Sequence, residues 1–268
     1  MRFIGALIFG LLTGQSALAC GADTDCMIGE RHYRIAMPDG HADGEQIPAI
    51  LFAHGYKGSA ANVMKNGSLR GLATDLGAAL IAVKSDGPGW EVPNNPRDPG
   101  TDGAAEFAYF DAVLADAVDR FDIDAARVMA TGFSSGGMMI WNLACARPGD
   151  YAGFAPVAGT FWLKPPAACA QPATNIIHIH GDADKTVPLL GRVIGPTKQG
   201  EVPAALKMYS DTGDFGPAQS AQYDGLACEE QTNPSGAMLE FCMFSGGHSF
   251  RTEHVRHAWD RLTTAGKL

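Results

Sequence analysis

The run Arg127-Val128-Met129-Ala130-Thr131-Gly132-Phe133-Ser134-Ser135-Gly136-Gly137-Met138-Met139-Ile140-Trp141-Asn142 decides how this chain folds. Its apolar, β-branched start reads as a buried strand, its glycines as a tight turn, and the Met/Ile/Trp stretch as a helix. The spacing Gly132-x-Ser134-x-Gly136 has a steric logic. A strand that turns sharply into a helix holds the central serine in a strained conformation and pushes its hydroxyl out above the sheet. Glycines on either side let strand and helix approach without Cβ clashes. The helix that follows turns free N–H groups, that of Ser135 first, toward any negative charge developing at the serine. Ser134 is therefore the candidate nucleophile. A chain with 33 glycines also produces this spacing by chance, so the weight rests on the strand before it and the helix behind it.

Working outward, apolar strands alternate with helical patterns. Arg31 to Met37 reads as an early strand, Pro48 to His54-Gly55 as a buried strand closing on a turn, and Ala78 to Val83 as another. Asn175 to His180 and Ala237 to Phe244 add two more. Ala61 to Leu76, Ala104 to Phe121 and His254 to Leu262 read as helices, and Gly87 to Gly103 as a loop. Leu189 to Gln231, rich in Gly and Pro, reads as an irregular surface insertion near the site. The pattern predicts an α/β protein with a mostly parallel sheet covered by helices on both faces, as a single domain.

Composition bounds the rest. The chain has 268 residues, 46% of them hydrophobic, enough for one sizeable core. Residues 1–19 read as a signal peptide: Arg2, an apolar run from Phe3 to Leu12, and Ala17-Leu18-Ala19 as a small-x-small cleavage site. That run is too short to span a bilayer, and no later stretch reads as a membrane span. The expectation is a secreted protein whose catalytic domain covers residues 20–268. Cys20 at the new N-terminus also fits lipid attachment, although Ala17 stands where a lipoprotein signal prefers Leu. A net charge of −9 without a basic cluster argues against nucleic acid as a partner. The six cysteines suit an oxidising compartment. Chain proximity favours the pairs Cys20–Cys26, Cys145–Cys169 and Cys228–Cys242. No Cys-x-x-Cys occurs, which disfavours zinc.

A serine hydroxyl needs a base to take its proton, and the base needs an orienting carboxylate. In α/β-hydrolases these follow in the order serine, acid, histidine. Here His180-Gly181-Asp182-Ala183-Asp184 ends one predicted strand and Gly246-Gly247-His248 follows the last. Strand carboxyl ends are where open α/β sheets bind ligands. His248 is the base candidate, carried toward Ser134 by its double glycine. Asp184 is favoured over Asp182 as the acid, because Asp182 sits so close to the turn that it more naturally bonds local backbone. His54-Gly55-Tyr56 ends an earlier strand, so the N–H of Tyr56 can join that of Ser135 as an oxyanion hole. His54 itself reads chiefly as a structural turn residue.

Other features take plainer readings. His178 and His180 alternate onto one strand face, as two metal ligands could, but no acidic or Cys partner stands at suitable spacing, so neither a metal nor a cofactor is expected. His254 and His257 read as an exposed helix face, Asp122 and Asp124 as turn and cap residues, and Met138-Met139 as core.

The run from Asp122 through Gly137, continuing to Asn142-Leu-Ala-Cys145 and Ala155-Pro-Val-Ala-Gly159, resembles the secreted polyhydroxybutyrate depolymerase and feruloyl-esterase family of α/β-hydrolases. Leu51-Phe-Ala-His54-Gly55-Tyr56 and His180-Gly-x-x-Asp184-x-x-Val187-Pro188 share the likeness, which covers most of the chain after residue 20. It implies the α/β-hydrolase fold, Ser134, Asp184 and His248 as the catalytic triad, and Tyr56 and Ser135 as oxyanion donors. Cys145 and Cys169, and Cys228 and Cys242, also fall where related sequences carry cysteines. One departure bears on the pocket: many members have Trp-Pro after the catalytic histidine, where this chain reads Ser249-Phe250-Arg251.

The chemistry these roles imply is ester hydrolysis through an acyl-enzyme. Trp90, Phe161, Trp162 and Phe250 stand in loops near strand ends as candidates to line an acyl or aryl pocket. Depolymerases that attack solid polymer usually carry a separate binding domain, and no residues are left for one. Short oligomers or small soluble esters are therefore at least as plausible as substrates. A feruloyl or acetyl-xylan type esterase is the alternative. A serine peptidase of the same fold is disfavoured by the lack of a propeller or cap domain, and a silent binding module by the complete triad.

Overall fold

The computed structural model describes residues 20–42 and 44–268. The signal peptide expected over residues 1–19 lies outside the described residues. In chain order the elements begin with β1 (Cys26–Ile28), β2 (Arg31–Ala36), β3 (Ile47–Ala53), α1 (Ala60–Met64), α2 (Gly67–Asp75), β4 (Ala79–Val83) and α3 (Ala104–Arg120). The centre consists of β5 (Ile123–Phe133), α4 (Ser135–Ala146), β6 (Gly153–Val157) and β7 (Ile176–Gly181). Then come β8 (Val193–Ile194), β9 (Thr197–Lys198), α5 (Val202–Thr212), β10 (Gln219–Tyr223), β11 (Leu226–Thr232), β12 (Met238–Phe244) and α6 (Thr252–Thr264).

Ten strands form one sheet in the order β1-β2-β4-β3-β5-β6-β7-β12-β11-β10. The six from β4 to β12 pair in parallel, and antiparallel strands extend both edges. Parallel strands buried on both faces must be apolar throughout, and β4 and β6 are buried at every position. Alternation divides the core in two. Ala49, Leu51 and Ala53 of β3 face a cluster with Phe110, Val113 and Trp141, while Ile50 and Phe52 face one with Leu69, Leu72 and Trp259. Helices α3, α4 and α5 thus cover one face, and α1, α2 and α6 the other. The expected mostly parallel sheet between helices is what the chain forms.

Three expectations need correction. The helix expected from Ala61 to Leu76 is two helices, because the Asn66 side chain accepts from Leu69 N at 3.0 Å and starts α2 afresh. The stretch Leu189 to Gln231 is not irregular: it holds β8, β9, α5, β10 and β11. Asp224-Gly225 there is a two-residue hairpin turn, with Gly225 at φ 70° and Tyr223 paired to Leu226. Finally, His254 is buried rather than exposed, with 4% of its surface accessible, and His257 is half-buried. α6 lies flat on the sheet, so its inner face takes in His254 with Val255, Ala258 and Trp259.

All three disulfides favoured by chain proximity form: Cys20–Cys26, Cys145–Cys169 and Cys228–Cys242. Among the described residues, no helix is long and apolar enough to cross a membrane.

Candidate active site

The turn between β5 and α4 has the geometry its glycines allow. Ser134 sits at φ 59° and ψ −119°, a conformation that costs a non-glycine residue about 1–3 kcal/mol. Ser134 N donates to Val157 O at 2.9 Å and Met138 N to Ser134 O at 3.0 Å, so the strain is held from both sides. A Cβ on Gly136 would stand 1.9 Å from Ala53 O, and one on Gly132 would stand 2.7 Å from the Gly136 carbonyl carbon. Both glycines are therefore required by close backbone approach. Ser135 is the first residue of α4, where an N–H has no intrahelical acceptor.

Asp184 and His248 come together although 64 residues separate them. His248 Nδ1 lies 2.6 Å from Asp184 Oδ2. The other carboxylate oxygen, Oδ1, accepts from Thr186 N and Val187 N, both at 2.8 Å. Burial works to raise the Asp184 pKa, but hydrogen bonds from His180, His248 and Val187 N–H outweigh it and hold the carboxyl well below the usual carboxylate range. Asp184 is thus an anion aimed at His248. The ring of His248 packs on Phe133, the neighbour of Ser134, with centroids 4.6 Å apart.

Asp182 has a different task. Its Oδ1 accepts from Gly246 N at 2.9 Å, while Asp182 N reaches Phe244 O and Ala183 N reaches Gly246 O. These bonds lace the loop after β7 to the loop that carries His248. A Cβ on Gly181 would meet Gly247 O at 2.5 Å, so the two loops touch backbone to backbone.

His54 is structural. The ring contacts Gly55 O through Nδ1 at 2.8 Å, and Nε2 accepts from Ser85 N at 3.2 Å. Trp90 Nε1 donates to His54 O at 2.9 Å. Burial pushes the His54 pKa down to about 4, so the ring is neutral at physiological pH. This network fixes the turn that presents Tyr56 at the mouth of the site.

A cleft of about 330 Å³ opens on Ser134, lined among others by Tyr56, Trp90, Met138, Trp162 and Val187. Ile194, Arg192 and Gln199, from the region between β7 and α5, complete its outer wall. Of the four aromatic candidates, Trp90 and Trp162 line this cleft. Phe161 does not: it packs on Trp141 with centroids 5.6 Å apart and lines a neighbouring hollow of about 290 Å³ that also contacts Trp162. Phe250 lies behind His248, against Phe52 at 5.2 Å and Phe133 at 5.9 Å. It supports the site from the sheet side. Arg97, Arg192 and Ile194 escape sequence reading because only folded loops bring them to the cleft.

The face of β7 carrying His178 and His180 also differs from expectation. An acidic partner does stand there, for His180 Nε2 is 3.4 Å from Asp184 Oδ2. A second group with metal-ligand atoms, Cys228, Cys242 and His257, has its two sulfurs joined to each other in a disulfide.

Comparison with known proteins follows this geometry. The profile of the Phospholipase/Carboxylesterase family matches residues 101–194, which include Ser134 and Asp184. NocK of Nocardia uniformis subsp. tsuyamanensis, a protein with an esterase designation, is 35% identical over 62% of this chain. The matched region spans about half (48%) of that protein's own length. Feruloyl esterase C of Emericella nidulans is 26% identical over 90% of this chain and 88% of its own. Among solved structures, the acetyl xylan esterase from Aspergillus awamori superposes with a TM-score of 0.61 at 14% identity, covering 86% of this chain and 94% of that one. Esterase PE8 gives 0.55 at 19% identity, covering 87% and 97%. These likenesses establish the fold.

Proposed function

We propose that the chain is an esterase of the α/β-hydrolase fold, hydrolysing carboxylic esters at Ser134 through an acyl-enzyme with His248 as base and Asp184 as orienting acid, a reading that the family match and the esterase relatives support. The observation that carries this reading is Asp184: a buried anion whose four hydrogen-bonding groups include His248 at 2.6 Å, with the His248 ring packed on Phe133, the residue before a strained serine. His248 takes the proton of Ser134 as the hydroxyl attacks the ester carbonyl. The tetrahedral oxyanion is received by the N–H groups of Tyr56 and Ser135. His248 returns the proton to the departing alcohol, and water, activated by the same histidine, then frees the acid.

The acyl side of the substrate is read from the cleft. Two tryptophans, Met138, Val187 and Ile194 make an apolar wall suited to an aryl or short aliphatic acyl group. An aryl ester of feruloyl type fits that wall. A second reading, oligomers of 3-hydroxybutyrate, is favoured by the rim. Tyr56, Leu163 and Val193 are three of the five exposed large apolar residues among those described, and all three lie at or beside cleft-lining positions. Such a rim suits an aliphatic polyester chain. Three disulfides support work in an oxidising, extracellular or periplasmic setting.

The deciding experiment compares methyl ferulate with soluble 3-hydroxybutyrate oligomers, using Ser134→Ala as the blank. Preference for ferulate supports the aryl reading and preference for oligomers the polyester one. Hydrolysis unchanged in Ser134→Ala removes the mechanism altogether. A fluorophosphonate probe that labels the wild type but not the variant identifies the nucleophile directly.

A further inference from the structure

Behind the candidate acid lies a set of buried polar side chains that the mechanism above does not use. Trp141 of α4 and His178 and His180 of β7 are each fully buried. Trp141 Nε1 lies 3.1 Å from His178 Nδ1, and His178 Nε2 lies 3.0 Å from His180 Nδ1. His180 Nε2 in turn lies 2.8 Å from Val187 O and 3.4 Å from Asp184 Oδ2. We propose that these three residues form a one-way hydrogen-bond chain that makes His180 a positioning residue for Asp184; the inference rests on the triad reading given above.

The direction of the chain is set at both ends independently. An indole N–H can only donate, so His178 Nδ1 must accept. A neutral imidazole that accepts at Nδ1 carries its proton on Nε2, which faces His180 Nδ1. His180 then also accepts at Nδ1 and donates from Nε2. At the far end stand a carbonyl and a carboxylate, which can only accept. Starting from either end gives the same tautomers, and no donor meets a donor.

The neutral state follows from burial, which holds the His178 pKa well below the usual histidine value, with the His180 ring acting in the same direction. The Pro156 carbonyl pulls weakly the other way. Phe241 stacks on His178 with centroids 5.7 Å apart, and Trp141 packs at 5.6 Å, which leaves the ring little freedom to turn.

The consequence for the site is positional. His180 ties Val187 O to the strand, and Val187 N ties Asp184 Oδ1 to the same loop. The N–H of His180 also leans on Oδ2, the oxygen that His248 uses. The carboxylate is thereby fixed in the plane that suits His248, and one of its lone pairs is partly engaged. Weakening the chain should leave Oδ2 more basic and His248 less firmly oriented.

Two measurements test this. In ¹⁵N-labelled wild-type protein at pH 7, long-range ¹H–¹⁵N spectra should show both His178 and His180 as Nε2–H tautomers. An Nδ1–H form, or a doubly protonated ring, at either position overturns the proposal without any substitution. The second test is Trp141→Phe, which keeps an aromatic ring and removes the first donor. The expected result is an Nδ1–H population at His178, a shifted low-field resonance for the His248 Nδ1 proton, and an acid limb of the kcat profile displaced upward. kcat itself should fall about fivefold at unchanged KM, the rate equivalent of roughly one ordinary hydrogen bond. A variant with wild-type tautomers, resonance and pH profile refutes the chain. A wild type that hydrolyses no ester would remove the proposed reaction, while the tautomers would still decide the chain.

Discussion

The most quantitative test of the structure is the response of His254 to acid. This residue lies on the inner face of α6, against the ring of Phe244 with centroids 4.5 Å apart, and its Nδ1 has no hydrogen-bond partner among the described residues. Burial, helped by the nearby Arg251 charge, lowers its pKa from 6.5 to about 4. The sign is fixed by linkage. A histidine whose folded pKa is depressed binds its proton more readily in the unfolded chain, so stability is lost as the pH is lowered from the unfolded value toward the folded one. With 6.5 unfolded and about 4 folded, the proton favours unfolding by about 2 kcal/mol at pH 5, against about 0.2 kcal/mol at pH 7. His54, also near 4, adds a similar amount. Wild-type protein should therefore lose about 4 kcal/mol from these two residues between pH 7 and pH 5, a large part of an ordinary domain's stability. In His254→Leu the loss over that interval should shrink by about 2 kcal/mol. Any packing change caused by leucine is independent of pH and cancels in the difference. Urea unfolding of both proteins at pH 7 and pH 5 provides the four free energies. Equal losses in wild type and variant would mean that His254 is not held neutral in the fold.

Three further outcomes follow from named contacts. Gly136→Ala places a methyl carbon 1.9 Å from Ala53 O, so β3 and α4 must separate; esterase activity should vanish and the melting temperature drop, and an active, stable variant would contradict the elbow geometry. Replacing Cys145 and Cys169 by serine opens a cross-link of sequence separation 24, for which chain entropy gives about 3.5 kcal/mol; a denaturation midpoint unchanged from wild type would show that the bond constrains nothing. Asp182→Ala removes the acceptor for Gly246 N, and a loss of about 1–2 kcal/mol in stability is expected on chemical denaturation. A larger fall in kcat than in substrate affinity should accompany it, since the bond places the His248 loop.

Local patterns carried most of the architecture. Buried parallel strands must be apolar along their length, and β3, β4 and β7 declare themselves for that reason. The elbow is legible because steric need at Gly132 and Gly136 leaves a mark in the sequence. β6 is harder to see, since it is short and contains Pro156. Helix α5 is hidden between glycines and prolines, although Val202, Ala205 and Tyr209 keep helical spacing on its buried side. The Asp-Gly turn at 224–225 was a readable signal for the hairpin, but the polar strands beside it lacked the alternation that normally accompanies one.

What the sequence hides is any relation that depends on which surface a face meets. The alternation of His178 and His180 is plain in the chain, and it places both on one side of β7. Nothing local says that this side lies under α4, where Trp141 supplies a donor. Nor does it say that the loop after β7 folds back so that Asp184, four residues beyond His180, returns its carboxylate to the same ring. The same holds for Phe250. Its place after His248 suggested a pocket wall, but the turn at Gly246 and Gly247 carries it under Phe133 instead. In each case the residue types are polar or aromatic groups that a core tolerates only with defined partners. Such residues mark, in a sequence, where a specific tertiary contact must exist, and the sheet order alone determines with whom.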